Sequence, residues 1–386
     1  MFGIALRMLF GDRTKYLAIL LGVTLTSLVI TQQGAIFIGL MSRTFALITD
    51  MGDPDIWVMD PKVAYVDDTK PMQDTELYRV RGVEGVAWAA PLFKGTTRAR
   101  MADGTFQNCV LIGIDDATLT GGPPSMVSGK LQNLLQADSI LVDSYGATTK
   151  FAHTRDDGTT APLAVGDTIE LNDKRGVAVG ISNNRRTFQS QPTVYTTYSR
   201  ARNYAPRERK TLHFVLVKAS PGVDHAELCD RISRVTGLAA YQRDEFKWKT
   251  VSYFIENTGI PINFGIAVGL GFVIGVLITG FMFYSFTIDN LRYFGTLKAM
   301  GASDNRLLSM VILQALVVAV FGFGIGVGLA TLFGTFASRN TTLAFSLPWQ
   351  LVFVSGAAVM LVSVISAMVS MRQVLKLEPA VVFKGA

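Results

Sequence analysis

Long stretches without a single charged residue recur along the chain. The longest of these windows run through residues 16–42, 257–288, 307–338 and 340–371. A helix that crosses a bilayer needs roughly 20 consecutive, mostly apolar residues, and every window contains such a run. The pattern therefore predicts four transmembrane helices, near residues 17–41, 264–286, 309–336 and 348–371.

Between the first and second predicted spans, residues 43–262 show a different pattern, in which short apolar runs alternate with turn-forming residues. The runs with the composition of β-strands are DIWVMD at 55–60, NCVLIGID at 108–115, SILVD at 139–143, GVAVGI at 176–181 and LHFVLVKA at 212–219. The turn formers between them are ADG at 102–104, DDG at 156–158, VGD at 165–167 and NDK at 172–174. Such a series predicts strands joined by tight turns.

Two helical patterns interrupt the strands, at 74–83 and at 220–237. In the second, Ser220 is placed to cap the first turn and Gly237 to end the helix. A chain of strands with a few helices predicts an α+β domain. The order of the elements suggests two lobes, one formed by about 44–122 with 208–245 and one by about 125–205.

The predicted fold is thus a membrane α-helical protein with four transmembrane helices and a large α+β extracytoplasmic domain inserted between the first and second spans. Residues 1–42 form an N-terminal cytoplasmic segment with the first span, 43–262 the inserted domain, and 263–386 the remaining spans with a cytoplasmic loop at 287–307. Composition agrees with this class: charged residues make up 17% of the chain and the mean hydropathy is +0.33. Soluble domains usually carry about 25% charged residues.

The location of the net charge of +6 predicts the topology. Residues 1–15, 287–307 and 372–386 together hold nine basic and four acidic residues, which accounts for +5 of it. Because loops rich in Lys and Arg stay on the cytoplasmic side, the N-terminus, the 287–307 loop and the C-terminus are predicted to be cytoplasmic. We therefore expect a multi-pass protein of the cell's inner membrane. No basic surface interleaved with aromatic residues suggests nucleic-acid binding.

The sequence contains no catalytic or nucleotide-binding signature. The patterns G-x-x-x-x-G-K-[ST], H-E-x-x-H, C-x-x-C and G-x-S-x-G are all missing. The histidines are scattered, at 153, 213 and 225. We therefore expect neither an enzyme nor a chain that binds a metal or a cofactor of its own. Cys109 and Cys229 lie in the extracytoplasmic region, where a disulfide is chemically allowed; two buried free thiols are the alternative.

Small residues recur at four-residue spacing in the predicted spans. The pairs are Gly265 with Gly269, Gly271 with Gly275, Gly322 with Gly326, and Gly324 with Gly328. Such spacing lets helix backbones approach closely, either within one chain or across a dimer seam, and both interpretations stay open here. No charged residue lies inside a span, which argues against a proton-coupled carrier. For Gln32, Gln33 and Gln314 we expect hydrogen bonds between helices.

The loop between the second and third spans has the pattern of a short amphipathic helix followed by a sharp stop. Its sequence at 290–307 is NLRYFGTLKAMGASDNRL. The residues of the predicted apolar half are Leu291, Tyr293, Phe294, Leu297 and Met300, interrupted by Lys298, and those of the other half are Arg292, Gly295, Thr296 and Ala299. Gly301 suits a left-handed cap, and Ser303 with Asp304 suits the start of the next helix. We expect the apolar half to pack inward, against the membrane-facing protein, and the other half to be open to a partner surface; the alternative is a simple interfacial connector.

This segment resembles the cytoplasmic loop of ABC transporter permeases of the MacB/FtsX type. The family pattern of Arg, Glu, apolar, Gly, x, Leu, basic, Ala, apolar, Gly, Ala is matched by Arg292, Gly295, Leu297, Lys298, Ala299, Met300, Gly301 and Ala302. Tyr293 stands where the family usually has Glu. The tail resembles the family's closing segment at Lys376, Glu378, Pro379 and Ala380. GDRTKYLAILLGVTLT at 11–26 and PDIWVMDP at 54–61 look most similar to the DevC-like exporter permeases.

The resemblance implies a homodimer in which each chain contacts a separate ATPase subunit that binds the ATP. The helix at 292–301 would be the element that couples the two subunits. DevC-like permeases work with a periplasmic adaptor protein and an outer-membrane duct, so export of an amphiphile such as a lipid, glycolipid, peptide or drug is implied. Two alternatives of the same architecture are an FtsX-like regulator of a cell-wall hydrolase and a lipoprotein-releasing permease.

Overall fold

The computed structural model describes residues 2–154, 160–205 and 211–375. The predicted turn at 156–158 and the tail motif at 376–380 lie outside these residues. The chain divides into two compact units: residues 1–40 with 259–386, and residues 41–258. The first is helical and the second is built around a large sheet.

The elements are numbered in chain order. The helices are α1 (Phe2–Gly11), α2 (Arg13–Thr44), α3 (Ala46–Asp50), α4 (Thr75–Arg81), α5 (Tyr198–Tyr204), α6 (His225–Thr236), α7 (Arg243–Asn257), α8 (Ile260–Asp289), α9 (Leu291–Ala299), α10 (Asp304–Asn340) and α11 (Trp349–Leu375). The strands are β1 (Ile56–Met59), β2 (Val86–Arg100), β3 (Phe106–Ile114), β4 (Met126–Gly129), β5 (Ser139–Asp143), β6 (His153–Thr154), β7 (Thr160–Ala161), β8 (Thr168–Leu171), β9 (Lys174–Ser182), β10 (Thr193–Thr197), β11 (Phe214–Ala219) and β12 (Ala239–Gln242). A 3₁₀ turn covers Leu131–Leu135 and a π-type turn covers Gly146–Lys150.

Four helices among the described residues are long and apolar enough to cross a membrane. They are Arg13–Thr44, Ile260–Asp289, Asp304–Asn340 and Trp349–Met371. The first three each contain a predicted span and extend several residues beyond it at both ends, and the fourth begins one residue after the start of its predicted span. The extensions arise because helical hydrogen bonding continues through polar residues, which the search for uncharged windows excludes.

The N-terminal helix α1 was not predicted as a separate element. It ends at Gly11, and Asp12 begins α2 by accepting backbone hydrogen bonds from Lys15 through its side chain and from Tyr16 through its carbonyl. Ala5 of α1 is fully buried in the helical unit. The Nε2 of Gln314, also buried, donates to the carbonyl of Ala5 at 2.7 Å. The prediction that Gln314 makes an inter-helix hydrogen bond is therefore confirmed.

The unit of residues 41–258 contains a ten-stranded sheet in the order β12-β1-β11-β2-β3-β10-β5-β9-β4, with β8 paired to β2 and β9. Most neighbours are antiparallel; β10 runs parallel to β3, and β5 runs parallel to β9. Strands of the two predicted lobes meet in this one sheet, at the β3–β10 and β2–β8 pairs. Because successive side chains point to opposite faces, one apolar cluster forms on each side, with Phe93 in one and Leu92 in the other.

All five predicted strand segments are strands in the structure, as β1, β3, β5, β9 and β11. The longest strand, β2, was not predicted, because Pro91 and Gly95 interrupt its pattern. The predicted cap of the helix at 220–237 is wrong. Residue Ser220 lies in a turn before it, and α6 instead begins after Asp224, whose carboxylate accepts from the backbone of Ala226. Gly237 ends the helix in the left-handed conformation, as predicted.

Candidate functional site

Helix α9 lies in the chain between two candidate spans, and two apolar side chains anchor it within the helical unit. Phe294 and Leu297 belong to the same buried cluster as residues of α2, α8, α10 and α11. The helix is preceded by Asn290, which is buried and donates its Nδ2 to the carbonyl of Phe286 at 2.8 Å. The same carbonyl also accepts the backbone N–H of Asn290 at 3.1 Å, so the side chain adds a second bond to the last turn of α8. The start of α9 is therefore fixed by packing and by a side-chain hydrogen bond.

The end of α9 is a Schellman-type turn. Gly301 has φ of +92°, so a residue without a side chain is favoured there, as the sequence predicts. Its N–H bonds the carbonyl of Lys298, and the N–H of Ala302 bonds the carbonyl of Leu297, each at 3.0 Å. Ser303 occupies the N-cap position of α10 without a side-chain capping bond. The Asp304 carboxylate pairs with the Lys298 ammonium at 3.1 Å and so closes the turn.

One side of α9 is open. The exposed residues are Arg292, Tyr293, Thr296, Ala299 and Met300. At 100° per residue these positions cover a continuous arc of about 120°. The two largest of them are strongly exposed, Tyr293 by 62% and Met300 by 71%. We call these five residues the α9 face. It combines one charge, two small side chains and two large apolar ones, which is a composition suited to a protein partner.

The predicted division of this helix into halves is wrong at three positions. Tyr293 and Met300 were assigned to the apolar half that packs inward, and both are exposed. Gly295 was assigned to the open half, and it is buried. The reason is that Phe294 and Leu297 set the rotation of the helix when they enter the core, and the same rotation turns Gly295 inward. A hydrophobicity pattern gives the two faces of a helix only when one face is clearly more apolar.

The ion pairs around the segment were not predicted either. Lys15, at the start of α2, pairs with Asp289 at the end of α8 and with Asp12 at 3.3 Å. The Lys15–Asp289 pair joins residues far apart in sequence, so no local signal indicates it, whereas Lys15 and Asp12 are only three residues apart. The long-range pair holds the start of α2 beside the end of α8.

The glycine pairs differ in what surrounds them. A Cβ added to any of four glycines would come within 2.4 to 2.9 Å of a side-chain atom of α2: Gly271, Gly275, Gly322 and Gly326. These residues let α8 and α10 approach α2 closely. A Cβ at any of the other four would meet no atom within 4 Å among the described residues: Gly265, Gly269, Gly324 and Gly328. Those pairs leave small open faces on α8 and α10.

Both cysteines of the sheet unit are free and buried. The Sγ of Cys109 lies 3.6 Å from the carbonyl of Thr97, to which it donates. Burial raises the pKa of each thiol to about 12, with a smaller contribution from Asp143 for Cys109 and from Glu245 for Cys229. Of the two arrangements that the sequence allows, the structure contains the two buried thiols.

Two sequence families match the chain. The family of the MacB-like periplasmic core domain matches residues 16–235, which is more than half of the chain, and the FtsX-like permease C-terminal family matches residues 265–379. The chain belongs to the MacB/FtsX-like ABC transporter permeases. The second match includes α9 and the α9 face, so this segment of the permease is part of the family's C-terminal region.

Proteins similar to the permease are also described as ABC transporter permeases. An uncharacterized ABC transporter permease of Mycobacterium tuberculosis is 23% identical over 323 residues, which cover 82% of the permease and 80% of the relative. Among solved structures, the periplasmic region of MacB from Actinobacillus actinomycetemcomitans matches with a TM-score of 0.38 and 15% identity, over 55% of the permease and 96% of that chain. The extracellular domain of the noncanonic ABC-type transporter YknZ from Gram-positive bacteria matches with a TM-score of 0.36 and 10% identity, over 49% and 100%.

Proposed function

We propose that the permease is the membrane subunit of an efflux complex that transmits ATP-driven motion to its 41–258 unit and exports an amphiphilic substrate. The α9 face carries the proposal. It is an exposed helix surface on the loop between two candidate spans, and Phe294 and Leu297 anchor its opposite side in the helical unit. A partner that presses on this face therefore moves the spans along with α9, since the helix cannot rotate independently of them.

The partner is a separate ABC ATPase subunit, which binds and hydrolyses the ATP. The permease itself holds no cofactor and catalyses no reaction in this proposal. Tyr293 replaces the acidic residue of the family pattern, so the contact at that position is apolar instead of ionic. Its exposed ring, together with Met300, would be buried against the ATPase.

The remaining parts of the complex follow from the same family pattern. The permease acts as a homodimer in the inner membrane with cytoplasmic termini, so that two α9 faces meet two ATPase subunits. The open glycine pairs, Gly265 with Gly269 and Gly324 with Gly328, are available for the contact between the two permease chains. A periplasmic adaptor and an outer-membrane duct complete the export path.

The test uses exposed residues, so that a change in coupling can be separated from a change in folding. Thr296→Arg adds charge and bulk in the middle of the α9 face. Asn305→Arg adds the same group at an exposed position in the first turn of α10, beyond the Gly301 turn, and is the matched control. Each full-length variant is co-expressed with the ATPase, and three quantities are measured: thermal stability of the permease, co-purification of the ATPase and stimulated ATPase rate.

Thr296→Arg should leave thermal stability unchanged and lower ATPase co-purification by about tenfold or more, because a buried uncompensated charge at an interface costs several kcal/mol. Asn305→Arg should leave both nearly unchanged. If Thr296→Arg retains normal co-purification and stimulation, or if both variants lose them equally, the α9 face is not the coupling surface. A pull-down with the full-length permease then tests export: recovery of a cell-wall hydrolase in place of an adaptor would contradict the efflux role.

A further inference from the structure

Three neighbouring strands of the sheet unit form a partly polar patch on an otherwise apolar face. The register places Lys94 of β2 opposite Ile112 of β3, and Ile112 opposite Tyr195 of β10. A second row of residues lies on the same face, two positions further along each strand, because side chains alternate between faces. That row consists of Thr96, Val110 and Thr193. A lysine in such a row is unusual, since Lys is almost never buried without a partner.

The loop between β9 and β10, residues 183–192, lies beside this patch and is fastened at two points. Arg185 donates to both carboxylate oxygens of Asp50, from its Nη1 at 3.0 Å and from its backbone N–H at 2.9 Å. Arg43, in the last turn of α2, donates to the hydroxyl of Ser190 at 3.2 Å. The loop is therefore held at the end of a candidate span, and it forms a wall above the strands.

Patch and loop enclose a polar cavity of about 200 Å³ that continues into a narrower one of about 20 Å³. Both are lined by Lys94, Asp67 and Thr187. We call the two together the Lys94 cavity. Pockets for drug-sized ligands usually measure about 300–1,000 Å³. The Lys94 cavity is smaller, so it suits a single polar group of a ligand and not an entire amphiphile.

Several polar atoms of the cavity have hydrogen-bonding capacity left. Lys94 is only 6% exposed, and its ammonium pairs with the carboxylate of Asp67, which leaves further N–H donors on the same nitrogen. The hydroxyl of Thr187 is buried without a hydrogen-bond partner in the described part of the chain. Oδ1 of Asn184, whose Nδ2 bonds the Oη of Tyr195 at 2.6 Å, also has no partner there, and as an acceptor it pairs only with a protonated oxygen of a ligand. A buried polar atom without a partner is unfavourable, so a ligand that pairs with it binds more tightly.

The charge of the cavity indicates which class of ligand it binds. Three cations and two carboxylates line it: Arg43, Lys94, Arg185, Asp50 and Asp67. Both carboxylates already accept hydrogen bonds from two of these cations. The walls therefore carry a formal charge of +1 among the described residues, which a single anion balances: Lys94 and Asp67 line both parts, and the other three line the narrower part. The cations reach the cavity from β2, from α2 and from the loop, which suits a tetrahedral oxyanion with oxygens in several directions better than a planar carboxylate.

We propose that the Lys94 cavity binds a phosphate-type oxyanion, either free or carried by the headgroup of an acidic lipid. The lysine ammonium and the Thr187 hydroxyl donate to its oxygens. Arg43 lies in the last turn of a candidate span, so the headgroup of a membrane lipid is one source of the anion. Because binding requires no ATPase, the test of this site is independent of the test of the α9 face.

The test measures binding to the purified full-length permease in a non-ionic detergent by isothermal titration calorimetry. The probes are inorganic phosphate, dihexanoyl phosphatidic acid and, as the zwitterionic control, dihexanoyl phosphatidylcholine. Lys94→Met removes the ammonium and keeps the stem. Thr187→Val removes a hydroxyl that bonds nothing in the described residues, so folding is preserved even if Lys94→Met fails to fold. Lys218→Met is the matched control, because Lys218 also pairs with one aspartate, Asp55, at 2.8 Å.

Phosphatidic acid should bind once per chain, about tenfold or more weaker in Lys94→Met and several-fold weaker in Thr187→Val, because hydrogen bonds to charged groups are the stronger ones. Lys218→Met should bind within about twofold of the unchanged permease, since its lysine lies outside the cavity. Binding of phosphatidic acid alone identifies a headgroup site, and binding of inorganic phosphate as well identifies a site for the free anion. Three results would overturn the proposal: no saturable binding of either phosphate probe, equal affinity in both cavity variants and the unchanged permease, or equally tight binding of phosphatidylcholine.

Discussion

Gly275→Ala tests whether close helix contact, and not merely apolar character, holds the first candidate span in place. A Cβ at Gly275 of α8 would lie 2.4 Å from Cγ2 and 2.6 Å from Oγ1 of Thr26 on α2. Carbon atoms pack best at about 3.5–4.0 Å, so the two helices would have to separate by more than about 1 Å or Thr26 would have to change rotamer. The second route is obstructed, because the Thr26 hydroxyl donates to the carbonyl of Gly22 at 2.9 Å.

Either response costs stability. Forcing an extra methyl group into a well-packed contact typically costs about 1–3 kcal/mol. Gly269→Ala is the matched control on the same helix, since its Cβ would meet nothing within 4 Å in the described residues. There the change should be neutral or slightly stabilising, by up to about 1 kcal/mol, because Ala favours helix over Gly. The expected difference between the two variants is therefore about 1–4 kcal/mol by these same ranges.

The assay is unfolding of the purified full-length protein in mixed micelles of increasing SDS content. Gly275→Ala should unfold at a lower SDS fraction than Gly269→Ala. Adding Thr26→Ala, which removes both crowded atoms, should recover most of the loss, and the double-mutant cycle gives the coupling energy directly. The reasoning is refuted if Gly275→Ala is as stable as Gly269→Ala, or if Thr26→Ala gives no recovery.

Three further predictions concern the sheet unit. Burial, and then the charge of Lys94, lower the pKa of His213 to about 4 from its ordinary 6.5. The neutral His213 therefore contributes its full stability above pH 6.5, and this contribution is lost as the pH falls toward 4. The loss amounts to up to about 3 kcal/mol. His213→Gln should flatten the pH dependence of urea unfolding across that range, and an unchanged slope would contradict this. Asp143 accepts backbone N–H bonds from Gly146 and Thr193 through its two carboxylate oxygens. Asp143→Ala removes both acceptors and should lower the free energy of unfolding at pH 7 by about 1–3 kcal/mol, because it leaves buried N–H groups unpaired. Unaltered urea unfolding would contradict this. Cys109 and Cys229 should resist maleimide at pH 8 in the native protein and both react after denaturation, and a non-reduced mass two daltons below that of the reduced chain would show a disulfide instead.

Some features of the molecule could be predicted because a local rule determines them. A segment that crosses lipid must satisfy its own backbone hydrogen bonds and expose apolar side chains, so the uncharged windows indicate the candidate spans directly. The left-handed turn at Gly301 is local in the same sense, because its φ of +92° favours one residue type. Strands β1 and β3 were also recognisable, since their apolar runs are continuous and bounded by turn formers.

Other features depend on pairing between distant residues, and no local pattern indicates them. Strand β2 carries Pro91 and Gly95, and only its neighbours β3 and β11 stabilise it as a strand. The rotation of α9 depends on how Phe294 and Leu297 enter a core formed by other helices.

The sequence by itself determined the candidate spans, the class of the inserted domain and the segment that contains α9, since each follows from composition or from the conformational limits of single residues. Only the tertiary structure decided which glycines touch α2, which residues form the α9 face, and that Lys94 meets Thr187 in one cavity. The physical reason is that these contacts join residues far apart along the chain, and their distances are set by how whole helices and strands pack together.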